Sequence, residues 1–176
     1  MDISNNLLEA IGRTPLVRLN RLVCANSAEV LVKIESLNPG GSVKARSALG
    51  IVSDAQEKGL LKQGSTIVES SSGNQGISLA MIGAVKGYKV VVFMPENMSS
   101  ERRKILKAYG AEVVLTPVGK GMEETFETAK KMAEDFASST PNSFLSRQFD
   151  NQANFLAHQK TTAAEILEQT KGNIDA

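Results

Sequence analysis

Residues 89–94 read Lys-Val-Val-Val-Phe-Met. So continuous an apolar run marks a strand covered on both faces, and a chain covers both faces by packing helices on either side of a mostly parallel sheet. Neighbouring segments supply the other parts of that design. Thr66 to Glu69 and Ala111 to Leu115 are short strands rich in β-branched residues, and Ser143 to Leu145 is a weaker one. Between them lie helical patterns. Val43, Ala48, Ile51, Val52 and Ala55 recur near a 3.6-residue period, and Phe126, Ala129, Met132, Ala133 and Phe136 do so within Gly121 to Ala137. A further apolar helix is predicted from Gln75 to Lys86, and Ser99-Ser100-Glu101 opens another with a hydroxyl cap and an early acid. Gly59, Gly87 and Gly110 close three of these helices. Upstream, Leu7 to Ile11 reads as a short helix, Thr14 to Leu19 as a turn into a strand, and Glu29 to Glu35 as a strand; downstream, Asn151 to Thr170 is mostly helical. Strands and helices that alternate with short loops predict a doubly wound, mostly parallel α/β fold. In such folds ligands bind outside the carboxyl ends of the strands.

Composition removes several classes of function. A net charge of +1 on 176 residues gives no footing for nucleic acid or an acidic membrane surface. No apolar run reaches the ~18 residues of a membrane span, and the first residues lack a basic-then-apolar signal pattern. The one cysteine, Cys24, excludes an internal disulfide framework and fits a reducing compartment, so a cytoplasmic location is expected. Cys24 itself reads as a partly buried small side chain. His158 stands mid-helix with no second histidine or cysteine beside it, so it reads as structural and no metal site is expected.

Two loops carry the chemistry. The first is Asn38-Pro39-Gly40-Gly41-Ser42-Val43-Lys44. Glycines without β-carbons let a flat ligand approach the backbone, and the helix start places a positive dipole beside the Lys44 amine. A desolvated lysine sheds its proton readily and then attacks carbonyls. A solvated surface lysine after a tight turn has the same spacing. The second loop is Ser70-Ser71-Ser72-Gly73-Asn74-Gln75-Gly76, where a strand feeds a helix. Ser71, Ser72, Gln75 and the amides around Gly73 can donate to an anion, and a carboxylate is a natural guest. A capped helix start with incidental hydroxyls is the alternative. Gln148 follows a strand end and could reach the same edge of the sheet. Glu101-Arg102-Arg103-Lys104 reads as a solvated helix face, not a phosphate clamp.

At these two loops the sequence resembles the cysteine synthase family, the fold-type II pyridoxal-phosphate enzymes that include O-acetylserine sulfhydrylase. Asn38 to Lys44 matches the family's lysine motif, and Ser71 to Gly76 is similar to its substrate-carboxylate loop. Ile11 to Val17, Met94-Pro95-Glu96 with Glu101-Arg102-Arg103, Ala108 to Glu112 and Gln148 to Asn151 extend the match along almost the whole chain. The resemblance implies that Lys44 holds pyridoxal phosphate as an internal Schiff base and moves protons at the substrate Cα. It implies that Asn74 bonds the cofactor's ring hydroxyl oxygen, and that Ser71, Ser72, Gly73, Asn74, Gln75 and Gln148 bind the substrate, with the serines and glutamines on its carboxylate. The implied reaction is β-replacement on an amino acid such as O-acetylserine with sulfide as nucleophile; β-elimination of cysteine or serine, or a non-catalytic partner-binding role, are its alternatives. A homodimer is implied for the complete enzyme.

The sequence departs from the family in four ways. Ala45 stands where aspartate is usual, which leaves Arg46 without that neighbour; Ser70 replaces a common proline, and Gln75 a common threonine. Length is the fourth. No Gly-Thr-Gly-Gly-Thr phosphate loop follows, so the chain reads as the N-terminal half of such an enzyme, with the C-terminal part of the large domain absent, and these 176 residues alone are not expected to be competent or to hold the cofactor tightly. On that reading residues 1–36 belong to the large domain, 37–146 form a small α/β domain, and 147–176 begin the return.

Overall fold

The computed structural model describes residues 3–24 and 26–175. Two sheets organise them. Strands β1 (Leu16–Arg18) and β2 (Leu31–Lys33) form an antiparallel pair with Val17 opposite Val32. Strands β3 (Thr66–Ser70), β4 (Lys89–Pro95), β5 (Glu112–Thr116) and β6 (Ser143–Leu145) form a parallel sheet in the order β5-β4-β3-β6. The helices are α1 (Lys44–Glu57), α2 (Asn74–Lys86), α3 (Ser100–Ala108), α4 (Met122–Ser139), α5 (Gln152–Ala157) and α6 (Ala164–Thr170), with a wide π-type turn over His158–Ala163 joining the last two.

The run that opens the sequence argument is β4, and its residues from Val90 to Pro95 are all buried. Alternate side chains serve different faces. Val90, Val92 and Met94 join Ile67 in a core with Ala48, Val52, Leu79, Ile82 and Leu106 from α1, α2 and α3. Val91 and Phe93 join Val68 on the other face, against Met132, Ala133 and Phe136 of α4. Phe93 and Phe136 stack tilted with ring centroids 5.6 Å apart. Each large apolar side chain removed from water here contributes about 2 kcal/mol. The expected two-faced α/β sheet is therefore present.

The strand order also fixes where a ligand can go. The chain adds β4 and β5 on one side of β3, then returns through α4 to lay β6 on the other. That reversal leaves a crevice outside the carboxyl ends of β3 and β6, the position at which open α/β sheets bind ligands.

Three expectations need correction. The strand expected over Glu29 to Glu35 is only Leu31–Lys33, because Asn38 Nδ2 bonds the Glu35 carbonyl and carboxylate and bends 35–37 into a 3-10 turn. Cys24 is exposed, in a connection between β1 and β2 whose described residues include none of the apolar core. The face Glu101 to Lys104 is not uniformly wet. Arg102 reaches the Ser72 carbonyl at 2.8 Å, and Arg103 caps the carbonyls of Glu96 and Met98.

Candidate active site

A cavity of about 520 Å³ opens at the carboxyl ends of β3 and β6. That is within the size range of sites for small organic ligands. Lys44, every residue from Glu69 to Gln75, and Arg147 to Asp150 line it. All seven residues singled out in the two loops and at the strand end, Lys44, Ser71, Ser72, Gly73, Asn74, Gln75 and Gln148, thus share one cavity.

The lysine arrives there through its glycines. Gly40 and Gly41 adopt φ of +84° and +73°, a conformation that residues with a β-carbon rarely take. Gly41 N–H closes the turn on the Asn38 carbonyl at 2.8 Å. Asn38 is itself buried and accepts the Gly12 N–H at 2.8 Å, so the turn is tied to the N-terminal segment. Lys44 is the first residue of α1, half-buried, and its N–H donates to Ser42 Oγ at 3.2 Å. Among the described residues its amine forms no ion pair.

The serine loop divides its labour. Ser71 Oγ accepts the N–H groups of Gly73 and Gly76, each at 3.2 Å. It caps the start of α2, and its one hydroxyl hydrogen stays free for a ligand. Both readings of the loop, cap and donor, therefore meet in this residue. The guanidinium of Arg102 crosses behind the loop, and a β-carbon on Gly73 would meet it at 3.1 Å. Asn74, exposed, begins α2. Gln75 is 2% exposed; its Oε1 accepts from Ser47 Oγ at 2.9 Å, and its Nε2 is buried with no partner. A buried amide nitrogen without a partner costs about 1–3 kcal/mol, so this cavity wall is incomplete as it stands. Gln148 is buried beside it, its carbonyl held by Asn154 at 2.8 Å.

Several functional neighbours went unread in the sequence. Glu69, 3% exposed, bonds the Ser146 hydroxyl and forms part of the cavity wall. Burial pushes its carboxyl up to about 7, against the pull of Ser146 and of backbone N–H groups at Ser70 and Gln148. A carboxylate one residue before a strand's end was the only available signal, and it resembled an exposed strand terminus. Arg46 lacks the usual aspartate neighbour but is not unpaired. It bonds Glu35 at 2.7 Å through Nε and Glu165 at 2.6 Å through Nη1, and Lys33 completes the group on Glu165 at 2.7 Å. These cations hold the Glu165 carboxyl down at about 2 against the opposing effect of burial. His158 bonds Thr162 at 2.9 Å and is held below its ordinary value by burial, then by the charges of Lys44 and Arg46.

A lysine without a counter-ion, on one cavity with an anion-binding loop, suits a carbonyl ligand that also carries negative charge. The family described as pyridoxal-phosphate dependent enzymes matches the chain over residues 7–176. The chain belongs to this family. A cysteine synthase from a Flavobacterium species is 53% identical over 170 residues, 97% of this chain and 54% of that protein. A crystal structure of O-ureido-L-serine synthase superposes with a TM-score of 0.86 at 48% identity, covering 98% of this chain and 52% of the other. That of a hydrogen sulfide-producing enzyme from Fusobacterium nucleatum gives 0.90 at 39% identity, covering 98% and 56%. The chain thus has the α/β fold of about half of each of these solved structures, and it spans about half the length of the curated relatives it matches. Among the described residues no helix is long and apolar enough to cross a membrane, and no group of acidic, histidine and cysteine side chains is arranged to hold a metal ion.

Proposed function

We propose that this chain carries the lysine and carboxylate-binding side of a pyridoxal-phosphate dependent β-replacement site, of the cysteine synthase kind. The observation that supports it most directly is the unpaired Lys44 amine on one cavity with the buried, partnerless Nε2 of Gln75. These residues fit the cofactor: Lys44 would anchor its carbonyl carbon, and Asn74 would bond its ring hydroxyl. When bound, the cofactor would supply an electron sink for the substrate Cα. Lys44 then holds and returns the Cα proton, as a general base and acid. Ser71, Ser72, Gln75 and Gln148 orient the substrate carboxylate, and Arg102 fixes the Ser72 carbonyl so that the loop keeps its shape.

The substrate class is an amino acid with a leaving group on Cβ, and O-acetylserine with sulfide is the first pair to try. The same proposal takes in the division of the chain at residues 36 and 146, a homodimer and a cytoplasmic location. The first of these is supported by the separation of the β1–β2 pair from the parallel sheet. Adding pyridoxal phosphate to these residues joined to a half that supplies the phosphate loop should produce the long-wavelength absorbance of a lysine-bound cofactor, and Lys44→Ala should lose it. Cysteine formation should fall about 10²–10⁴-fold in that variant, the usual weight of a positioned acid–base. Equal absorbance in both proteins would end the assignment of Lys44.

A second reading, β-elimination from cysteine, is favoured by the likeness to a hydrogen sulfide-producing enzyme. Sulfide release from cysteine alone, faster than cysteine formation from O-acetylserine, would select it.

A further inference from the structure

We propose that Glu69 is a positioning residue whose charge state governs how tightly the cavity holds a carboxylate. This rests on the carboxylate-site reading above, and goes beyond it in making the site sensitive to pH.

The geometry is that of a bridge across the crevice. Glu69 stands near the carboxyl end of β3, one residue before the serine loop. Its carboxyl bonds the Ser146 hydroxyl in the loop after β6, and Ser146 is fully buried. Ser146 N–H is held in turn by the Val68 carbonyl at 3.0 Å. One carboxyl therefore joins the two segments that present Ser71, Ser72 and Gln75 on one side and Gln148 on the other.

No cation neutralises it. Among the described residues Glu69 forms no ion pair. The charged groups on the cavity it lines are Lys44 from α1, Arg102 from α3, Glu127, Lys130 and Glu134 from α4, and Arg147 with Asp150 after β6. β4 contributes only Lys89, at its far end, and α2 only Lys86. None of them sets the charge of Glu69, which is decided by burial first and then by the donors at Ser146, Ser70 and Gln148. With its carboxyl near 7, Glu69 is part charged at neutral pH.

A second carboxylate entering this low-dielectric cavity disfavours the charged form of the first. Binding the substrate anion therefore draws a proton onto Glu69, and the neutral acid keeps its bond to Ser146. Conversely, raising the pH leaves Glu69 charged and weakens the hold on the carboxylate.

Propionate tests this without cofactor chemistry, because it has a carboxylate but no amine and no leaving group. Its affinity for the cofactor-loaded protein is measured by calorimetry from about pH 6 to about pH 8. Affinity should fall about fivefold across that range, out of the roughly tenfold that one pKa unit of coupling gives over the whole titration. Glu69→Gln should bind at the higher affinity throughout, with no slope. Ser146→Ala keeps the carboxyl but removes a donor to its charged form, so the midpoint should move to higher pH. A Glu69→Gln protein with the unchanged slope, or a Ser146→Ala protein with the unchanged midpoint, overturns the proposal. Should Glu69→Gln fail to fold, the Ser146→Ala midpoint decides alone. PH-independent binding of propionate removes the role of Glu69 and leaves the carboxylate site standing. Absence of binding at every pH removes the site itself.

Discussion

Two polar clusters flank the first turn of α1, and they are built on opposite terms. On one side Arg46 is shared between Glu35 and Glu165, with Lys33 and Thr14 filling the remaining positions. On the other lie Lys44, Glu69 and Gln75, where, among the described residues, an amine has no counter-ion, a carboxyl has no cation and an amide nitrogen has no partner. The first cluster is complete without anything from outside. The second is short of partners at Lys44 and Gln75, which a ligand with a carbonyl and an anion would supply, while Glu69 is held by uncharged donors alone. A satisfied cluster works for the fold, and an unsatisfied one beside a cavity works for what enters it.

The largest expected effect breaks the satisfied side. Arg46→Met leaves Glu35 without its cation and Glu165 with Lys33 alone in a partly buried setting, and removal of one partner from such a group costs about 3–5 kcal/mol. Denaturant unfolding should show that loss. Adding Glu35→Leu and Glu165→Leu to the same chain should recover much of it, since well-packed apolar residues replace buried ion groups at little cost. A single Arg46→Met protein as stable as the parent would show that water, not Arg46, supports these carboxylates.

A subtler difference is the sign of the pH dependence. The Glu165 carboxyl is lowered from 4.5 to about 2, so its contribution to stability is present above 4.5 and is lost as pH falls toward 2. The Glu69 carboxyl is raised from 4.5 to about 7, so its contribution is present below 4.5 and is lost as pH rises through 7. Thermal unfolding followed across pH should show two limbs. Glu165→Gln should flatten the limb between about 2 and 4.5 alone, and Glu69→Gln the limb between 4.5 and about 7 alone. A variant that alters both limbs would mean the clusters are not independent.

The sequence was far more legible for the sheet than for these clusters. Lys89 to Met94 announces a strand with two covered faces because burial of such a run has no other economical arrangement. The glycine pair before Lys44 and the polar loop after β3 are local signals, readable because neighbouring residues build them. Partners distant in the chain are a different matter. Arg46 meets Glu165 across 119 positions, and Glu69 meets Ser146 across 77. Nothing local in Ala164-Glu165-Ile166 announces that its acid faces an arginine in α1. Arg102 was misread for a related reason. Its helix is rich in charge and has the composition of a wet face, but α3 packs on α2, and that brings one guanidinium to the Ser72 carbonyl. Cys24 was misplaced because cysteine's general taste for burial says nothing about a loop on which no core residue packs.

The smallest expected effect bears most closely on the comparison, because it separates stability from binding at one residue. The Gln75 side chain accepts one hydrogen bond, from Ser47, and leaves Nε2 unpaired. Ser47 Oγ also lies 3.2 Å from the Lys44 carbonyl, so its hydrogen has a second acceptor if the amide is removed. Gln75→Leu thus deletes an unsatisfied buried donor and orphans nothing. A net hydrogen bond is worth about 0.5–1.5 kcal/mol, and the removed desolvation penalty offsets it, so stability should change by less than about 1 kcal/mol in either direction. Propionate affinity should nonetheless fall about fivefold, the equivalent of one lost bond of that size. Gln75→Thr keeps a donor with a shorter reach and should lie between the two. If Gln75→Leu weakens the fold by several kcal/mol and leaves propionate binding untouched, Nε2 is a structural group and the contrast between the clusters fails at this residue.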